Sequence, residues 1–259
     1  MRFACLGSGS RGNAFLVECG DTTLMIDCGL SLKTTLERMA RLGKTADSLS
    51  AILLTHEHHD HVKGVGLLAR RFGLAVWMTA GTFRQCAERA GALPRVELFS
   101  PHGAFEIDDV MVTPFPVPHD ASEPSQFVLS NGAVRLGILT DTGSSTPHIE
   151  DALQGCDGLI VECNHDRDML LSGPYPEPLK TRIAGAYGHL DNVAAAELLA
   201  RIDPGNLQHI VAAHLSGANN TPALARIALS EAVGCTPDWI QVADQEDGLA
   251  WCALSSNWV

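Results

Sequence analysis

Four histidines, a glutamate and an aspartate fill residues 56–61 within the stretch LLTHEHHDHV. Imidazole nitrogens and carboxylate oxygens at this density are the natural donors of a metal site. The helical zinc-protease pattern H-E-x-x-H is excluded, because it needs a second histidine at position 60, where this chain has Asp60. The cluster also follows an apolar run at 51–54 that reads as a buried strand, not as the middle of a helix. The remaining parse is H-x-H-x-D-H. In an extended segment residues two apart point to the same side, so His56 and His58 converge while Glu57 and His59 turn away as bystanders. A helix starting near Asp60 brings His61 round to the same point, and its positive end favours the Asp60 carboxylate. The motif offers two imidazoles to one cation, and a carboxylate plus an imidazole to another.

Two sites need more donors than one motif holds. His119 in VPHD, Asp141 in ILTDTGS and His214 in IVAAHLSGANN each follow an apolar, strand-like run. Strand ends are where α/β sheets collect functional residues. Any one of the three alone reads more simply as a capping aspartate or a hydrogen-bonded loop histidine. Their coincidence with H-x-H-x-D-H reverses that judgement.

The elements that must carry these donors follow along the chain. Short β-like runs at 3–6, 14–19 and 22–26 are separated by the turn signals GSGSRGN and GD. Residues 31–42 read as an amphipathic helix, with Ser31 as N-cap and Gly43 as its end. Helices are expected at 62–72 and 82–90 around a strand at 74–78, and the middle is β-rich at 110–117, 126–129 and 134–139. A strand at 159–161, a helix at 192–202, a strand at 209–213, a helix at 222–232 and strands near 239–242 and 249–253 complete the chain. Interleaved strands and helices predict a layered α/β (α+β) protein, with one domain over residues 1–259 and no internal repeat.

Hydrophobic residues make up 46 % of the chain, but no uninterrupted apolar run approaches the length of a membrane span, so no membrane association is expected. The opening MRFACLG breaks at once into glycine and serine and has no leader-like apolar segment. The 8 cysteines are scattered without a C-x-x-C pair, which predicts a reduced, cytoplasmic protein. A net charge of -12 argues against indiscriminate nucleic-acid binding. The charge is uneven, however: Arg70, Arg71, Arg84 and Arg89 all lie in the N-terminal part, where they read as solvated helix faces.

With H-x-H-x-D-H and a later His, Asp and His in place, the sequence resembles the metallo-β-lactamase superfamily. Within it the chain is similar to the YycJ/WalJ subgroup of bacterial metallohydrolases, on GSGSRGN, THEHHDHVKGVGLLARRF, PVPHDASEP, LTDTG, VECNHDRDMLLSGPYPEPLKTRI, GHLDN and HLSGANN. The resemblance implies a four-layer αβ/βα sandwich with a dinuclear site at the sheet edges. It implies that one metal takes His56, His58 and His119, that the other takes Asp60, His61 and His214, and that Asp141 bridges them. Asp27, in MIDCG, matches an early aspartate that supports the ligands.

Two divalent cations about 3.5–4 Å apart can share a hydroxide and clamp the oxygens of an in-line displacement. Zinc suits the imidazole-rich set, with manganese or iron as alternatives. Asp60 is expected to orient the attacking oxygen as well as bind metal, and His189 in YGHLDNV to protonate the leaving group. The resemblance favours a nucleic-acid substrate, DNA over RNA, cleaved as by a 5′-to-3′ exonuclease, with no obligate protein partner. Arg11 and Asn13 in GSGSRGN, with the loop's amides, are candidates to hold a phosphate. Lys180, Arg182 and Tyr175 are candidates to hold the backbone and stack a base, and His165, Ser216 and Asn219 are further candidate contacts. Asp191 is a possible obstacle: subgroup relatives generally have serine there, and a carboxylate facing the site would repel phosphate. The alternatives are a hydrolase of a small phosphodiester, thioester or lactone, and a non-catalytic metal-binding module.

Overall fold

The computed structural model describes residues 1–256. Its first sheet contains β1 (Arg2–Gly7), β2 (Ala14–Cys19), β3 (Thr22–Ile26), β4 (Ala51–Leu53), β5 (Ala75–Thr79) and β6 (Arg95–Phe99). The second contains β7 (Phe105–Ile107), β8 (Val110–Pro116), β9 (Ser125–Ser130), β10 (Arg135–Leu139), β11 (Gly158–Glu162), β12 (His209–Ala213) and β13 (Gln241–Val242), after which β14 (Leu249–Ala253) returns to pair with β1. The orders are β14-β1-β2-β3-β4-β5-β6 and β13-β12-β11-β10-β9-β8-β7.

Period-two alternation explains why both sheets are buried on both faces. Phe3, Phe15, Val17, Leu24, Ile26 and Leu53 meet Phe127, Leu129, Leu136, Ile138, Ile160 and Val211 in a core between the sheets. Their neighbours Leu16, Met25 and Ile52 point the other way, against α1 (Leu32–Arg41), α3 (Val65–Phe72) and α4 (Ala80–Ala90). On the far side Val128, Leu139, Leu159 and Ile210 pack under α5 (Pro147–Leu153), α8 (Asn192–Arg201) and α9 (Pro222–Val233). The result is the expected αβ/βα sandwich.

No repeat is visible in the sequence, yet the two sheets have the same plan. Three antiparallel pairings are followed by three parallel ones, along β14 to β6 in one sheet and β7 to β13 in the other. The parallel strands end together, and their loops meet along one rim.

Several boundaries differ from the sequence reading. The helix expected at 62–72 is two pieces, α2 (His59–Val62) and α3. The chain bends at Gly64, whose N–H donates to Cys28 O at 2.7 Å where a Cβ would collide with Leu30 O. The proline-bearing stretch around 167–183 contains α6 (Arg167–Ser172) and α7 (Glu177–Ile183), each too short to show a helical period. The strand expected near 239–242 shrinks to β13 behind a single 3₁₀ turn.

The loop after β3 is clamped to the histidine motif by its backbone. Cys28 N donates to His61 O and Asn13 N to Asp60 O, each at 2.8 Å, and Gly29 N donates to Asn13 O at 2.9 Å. A Cβ on Gly29 would lie 1.6 Å from Asp60 O, so only glycine permits this approach. Gly29→Ala is therefore expected to lower stability by about 1–3 kcal/mol, as overpacking does. A urea midpoint no different from wild type would show that the loop yields without cost.

Candidate metal centre

Every expected donor lies on the shared rim, either just past a strand or on the short helix α2 that follows β4. Asp27 follows β3, His56 and His58 follow β4, Asp60 and His61 lie on α2, His119 follows β8, Asp141 follows β10 and His214 follows β12. Asp27, Asp141 and His214 have φ of 59°, 52° and 56°. This left-handed conformation is costly for a side-chain-bearing residue and tends to cluster at functional sites. Here it falls on two expected donors and on the supporting Asp27, each just past the end of a strand.

The donor atoms fall into overlapping groups, each within 4.8 Å: His56 with His58 and His119, Asp60 with His61 and His214, and His56 with His61 and Asp141. One ring nitrogen of each imidazole is engaged by a group outside the donor cluster. His119 Nδ1 donates to Gly188 O at 3.0 Å, and His58 Nε2 lies 3.3 Å from Asp120 O. His61 Nδ1 meets Asp27 Oδ2 at 2.8 Å, and His214 Nδ1 meets Glu162 Oε1 at 2.9 Å. Thr55 Oγ1 donates to Asp27 Oδ2 at 2.8 Å and accepts from His56 Nδ1 at 2.9 Å. Such outer partners fix both the tautomer and the ring direction of a metal-binding histidine.

The inward atoms fit a divalent cation. His56 Nε2, His214 Nε2 and Asp141 Oδ2 are buried without a hydrogen-bond partner. Unmet buried polar atoms are expensive, and cations held in the donor groups that contain them would satisfy these three.

The electrostatics divide the cluster. Burial pushes the His56 and His119 imidazoles below their usual pKa, which keeps their lone pairs free. Burial would also lower His61, but Asp141, Asp27 and Asp60 around it raise it well above the usual histidine range. The same balance lifts His214 to about 10, with Asp141 opposing the burial. Burial would raise the Asp60 and Asp141 carboxyls, yet the neighbouring imidazoles hold both well below the normal carboxylate range. Cation binding would compete with protons for the His61 and His214 nitrogens.

Beside these donors is a cavity of about 300 Å³. His58, Asp60, Asp141 and His214 line it, as do the expected residues His189, Tyr175, Arg182 and Ser216. His189 Nδ1 meets Glu162 Oε1 at 2.8 Å. Burial would lower its pKa, but Glu162 and Asp141 raise it.

Other expected contacts lie elsewhere. The Asn13 side chain is fully buried, its Nδ2 donating to Asp60 Oδ2 at 3.3 Å, so it steadies Asp60 and does not face a substrate. The GSGSRGN loop is no phosphate cradle. Gly9 N donates to Asn13 Oδ1, Arg11 N to Gln245 Oε1 and Gly12 N to Gly9 O, so these amides are spent inside the protein. The Arg11 guanidinium pairs with Glu246 at 2.9 Å and does not line the metal cavity. Lys180 is buried and donates to Leu171 O at 2.7 Å and Glu177 Oε1 at 3.0 Å, tying α7 to the end of α6. His165 and Asn219 are buried and do not line the cavity. Asp191 presents no carboxylate to the site: it caps α8 through Ala194 N at 2.9 Å and accepts from Arg167 Nε at 2.6 Å.

The sequence reading assigned no role to Glu162, which is buried behind the histidines, nor to several residues that line the cavity. Glu162 accepts from both His189 and His214 and, through Oε2, from Thr142 N and Leu190 N. Arg89, read as a solvated helix face, lines the cavity from α4, and Asn164 and His59 line it too. His59 belongs to none of the donor groups but reaches the cavity wall, while Glu57 latches Ser122 N at 2.7 Å. Only the VECNHD stretch hinted at Glu162, by placing a carboxylate at the end of an apolar strand.

Residues 22–211 match the Beta-lactamase superfamily domain, and the chain belongs to the metallo-β-lactamase superfamily. It is 36% identical over 233 residues to exodeoxyribonuclease YycJ of Bacillus anthracis, covering 89% of this chain and 88% of the relative. It is 35% identical over 234 residues to exodeoxyribonuclease WalJ of Streptococcus pneumoniae, covering 88% and 86%. The metallo-beta-lactamase fold protein YhfI from Bacillus subtilis superposes with a TM-score of 0.74 at 16% identity, over 97% of this chain and 98% of that one, and so shares its fold. Among the described residues no helix is long and apolar enough to cross a membrane.

Proposed function

We propose that this chain is a metal-dependent phosphodiesterase acting on DNA, with the 5′-to-3′ exonuclease polarity that the sequence reading expects. The observation that carries the chemistry is the set of buried, unpartnered donor atoms of His56, Asp141 and His214 within the convergent ligand groups. The substrate follows from the similarity to exodeoxyribonucleases over most of both chains. In this assignment His56, His58 and His119 hold one divalent cation, Asp60, His61 and His214 hold the second, and Asp141 faces both. When bound, such a pair activates water and stabilises charge on the phosphoryl oxygens. Zinc suits the imidazole donors best, and the two carboxylates also admit manganese or iron.

The protein residues supply orientation and protons. Asp60, steadied by Asn13, aligns the incoming oxygen. His189 is held through Nδ1 by Glu162, so its Nε2 is the atom placed to protonate the departing sugar oxygen. Arg182, held by Asp120 at 2.6 Å, and Arg89 put positive charge on the cavity wall, where an anionic backbone would pass.

The test incubates metal-loaded protein with end-labelled DNA, end-labelled RNA, a chromogenic phosphodiester and a lactone. DNA is expected to be shortened from one end, with Asp60→Ala inactive. Turnover of the lactone without cleavage of DNA would overturn the substrate; equal activity of Asp60→Ala and wild type would overturn the mechanism.

A further inference from the structure

The metal cavity does not end at its ligands. Ser10, Tyr175 and Ser216 line it and also line a second hollow of about 190 Å³, which continues to Arg11 and Gln245. The metal cavity alone, at about 300 Å³, is at the lower limit of what encloses a small ligand, so a polymer must extend beyond it.

The chemistry of the extension is specific. Tyr175 is half-buried between the two hollows, and among the described residues its hydroxyl makes no hydrogen bond. The Arg11 guanidinium at the far end pairs with Glu246, but these side chains are 73% and 59% exposed. An ion pair so wetted is worth little, and a phosphate can replace the carboxylate on the guanidinium. Arg89 lines the metal cavity but not the second hollow, and it has no ion pair or hydrogen bond among the described residues. Each hollow therefore has a cation in its wall, Arg89 in one and Arg11 in the other, and the two share the Tyr175 ring.

We propose that these two hollows are a track for one unpaired DNA strand: the base next to the scissile linkage stacks on Tyr175, and Arg11 holds the phosphate beyond it. The inference rests on the nuclease reading and adds to it the strandedness and length of the substrate. An aromatic face accepts any base but only an unstacked one, which favours a single strand over a duplex. The chain's net charge of -12 leaves such local cations as the means of guiding a polyanion.

Fluorescence anisotropy tests this without relying on catalysis. Labelled oligothymidylates of one, two, three and six nucleotides, joined by nuclease-resistant phosphorothioate linkages, are titrated into metal-loaded wild type, Tyr175→Ala, Tyr175→Phe and Arg11→Ala, and cleavage of the ordinary phosphodiester forms is followed separately. For wild type, affinity is expected to rise from one to three nucleotides and then level off. Tyr175→Ala should weaken the trinucleotide roughly 5- to 100-fold, and Tyr175→Phe should restore it. Arg11→Ala should also lower the salt slope for the trinucleotide by about 0.7, the loss of one phosphate contact on a single strand. Affinity independent of length, or Tyr175→Ala weakening the mononucleotide as much as the trinucleotide, would overturn the track. Length-dependent binding without cleavage would retain the track and remove the nuclease reading; cleavage with length-independent binding would do the reverse.

Discussion

Asp141→Asn is expected to leave the purified protein with fewer than two equivalents of metal and with activity on DNA reduced by more than 10³-fold. Asparagine is the informative replacement because it tolerates the left-handed backbone at this position, where φ is 52°. It keeps the side-chain shape and removes the charge. That charge faces His61 Nε2 at 3.1 Å, His214 Nδ1 at 3.2 Å and His189 Nδ1 at 3.4 Å. Losing an outer partner of a metal ligand costs roughly 10–100-fold, and a residue shared by two cation sites should cost well beyond that. Elemental analysis of the purified variant is the check. Two full equivalents, retained through dialysis against a chelator, would remove Asp141 from the centre.

His189→Ala gives the second large effect, and one that depends on the leaving group. A positioned general acid contributes about 10²–10⁴-fold when the departing group is a poor one. DNA cleavage expels a sugar oxygen that needs a proton, so the variant should lose that much on DNA. A p-nitrophenyl phosphodiester expels an anion stable without one, so the loss there should be small. Similar losses on both substrates would mean that His189 only braces the site. Glu162→Gln separates positioning from proton donation. It retains a hydrogen-bonding side chain beside His189 and His214 but removes the negative charge between them. Its loss on DNA should be about 10–100-fold, smaller than that of His189→Ala.

The candidate donors that the structure gathers on one rim are legible in the sequence because their signal is local. His56, His58, Asp60 and His61 share one motif, and His119, Asp141 and His214 each follow an apolar run whose burial is easy to read. Burial on both faces also made β1 to β3 and β10 to β12 plain. The edge strand β6 was harder to read, because Arg95 and Glu97 alternate with its apolar residues and the strand is only partly buried. Arg89 and Glu162 could not be assigned by type alone. An arginine on an amphipathic helix looks the same whether it meets solvent or a cavity, and only the packing of α4 beside the rim decides. GSGSRGN misled for a related reason: its amides look free in sequence, but Asn13 and Gln245 fold back to take them.

The duplicated plan of the sheets has a consequence for how the protein keeps its shape. In the proposed assignment each cation draws on both halves: His56 and His58 with His119 from across the rim, and Asp60 and His61 with His214. Neither half owns a complete coordination sphere. Grip on the metal and grip of one half on the other are then a single equilibrium, measured by two different instruments. A methyl group lost from the inter-sheet core, far from any ligand, should register as weaker metal retention. Metal starvation, conversely, should loosen the seam between the halves before it disturbs the strands of either one.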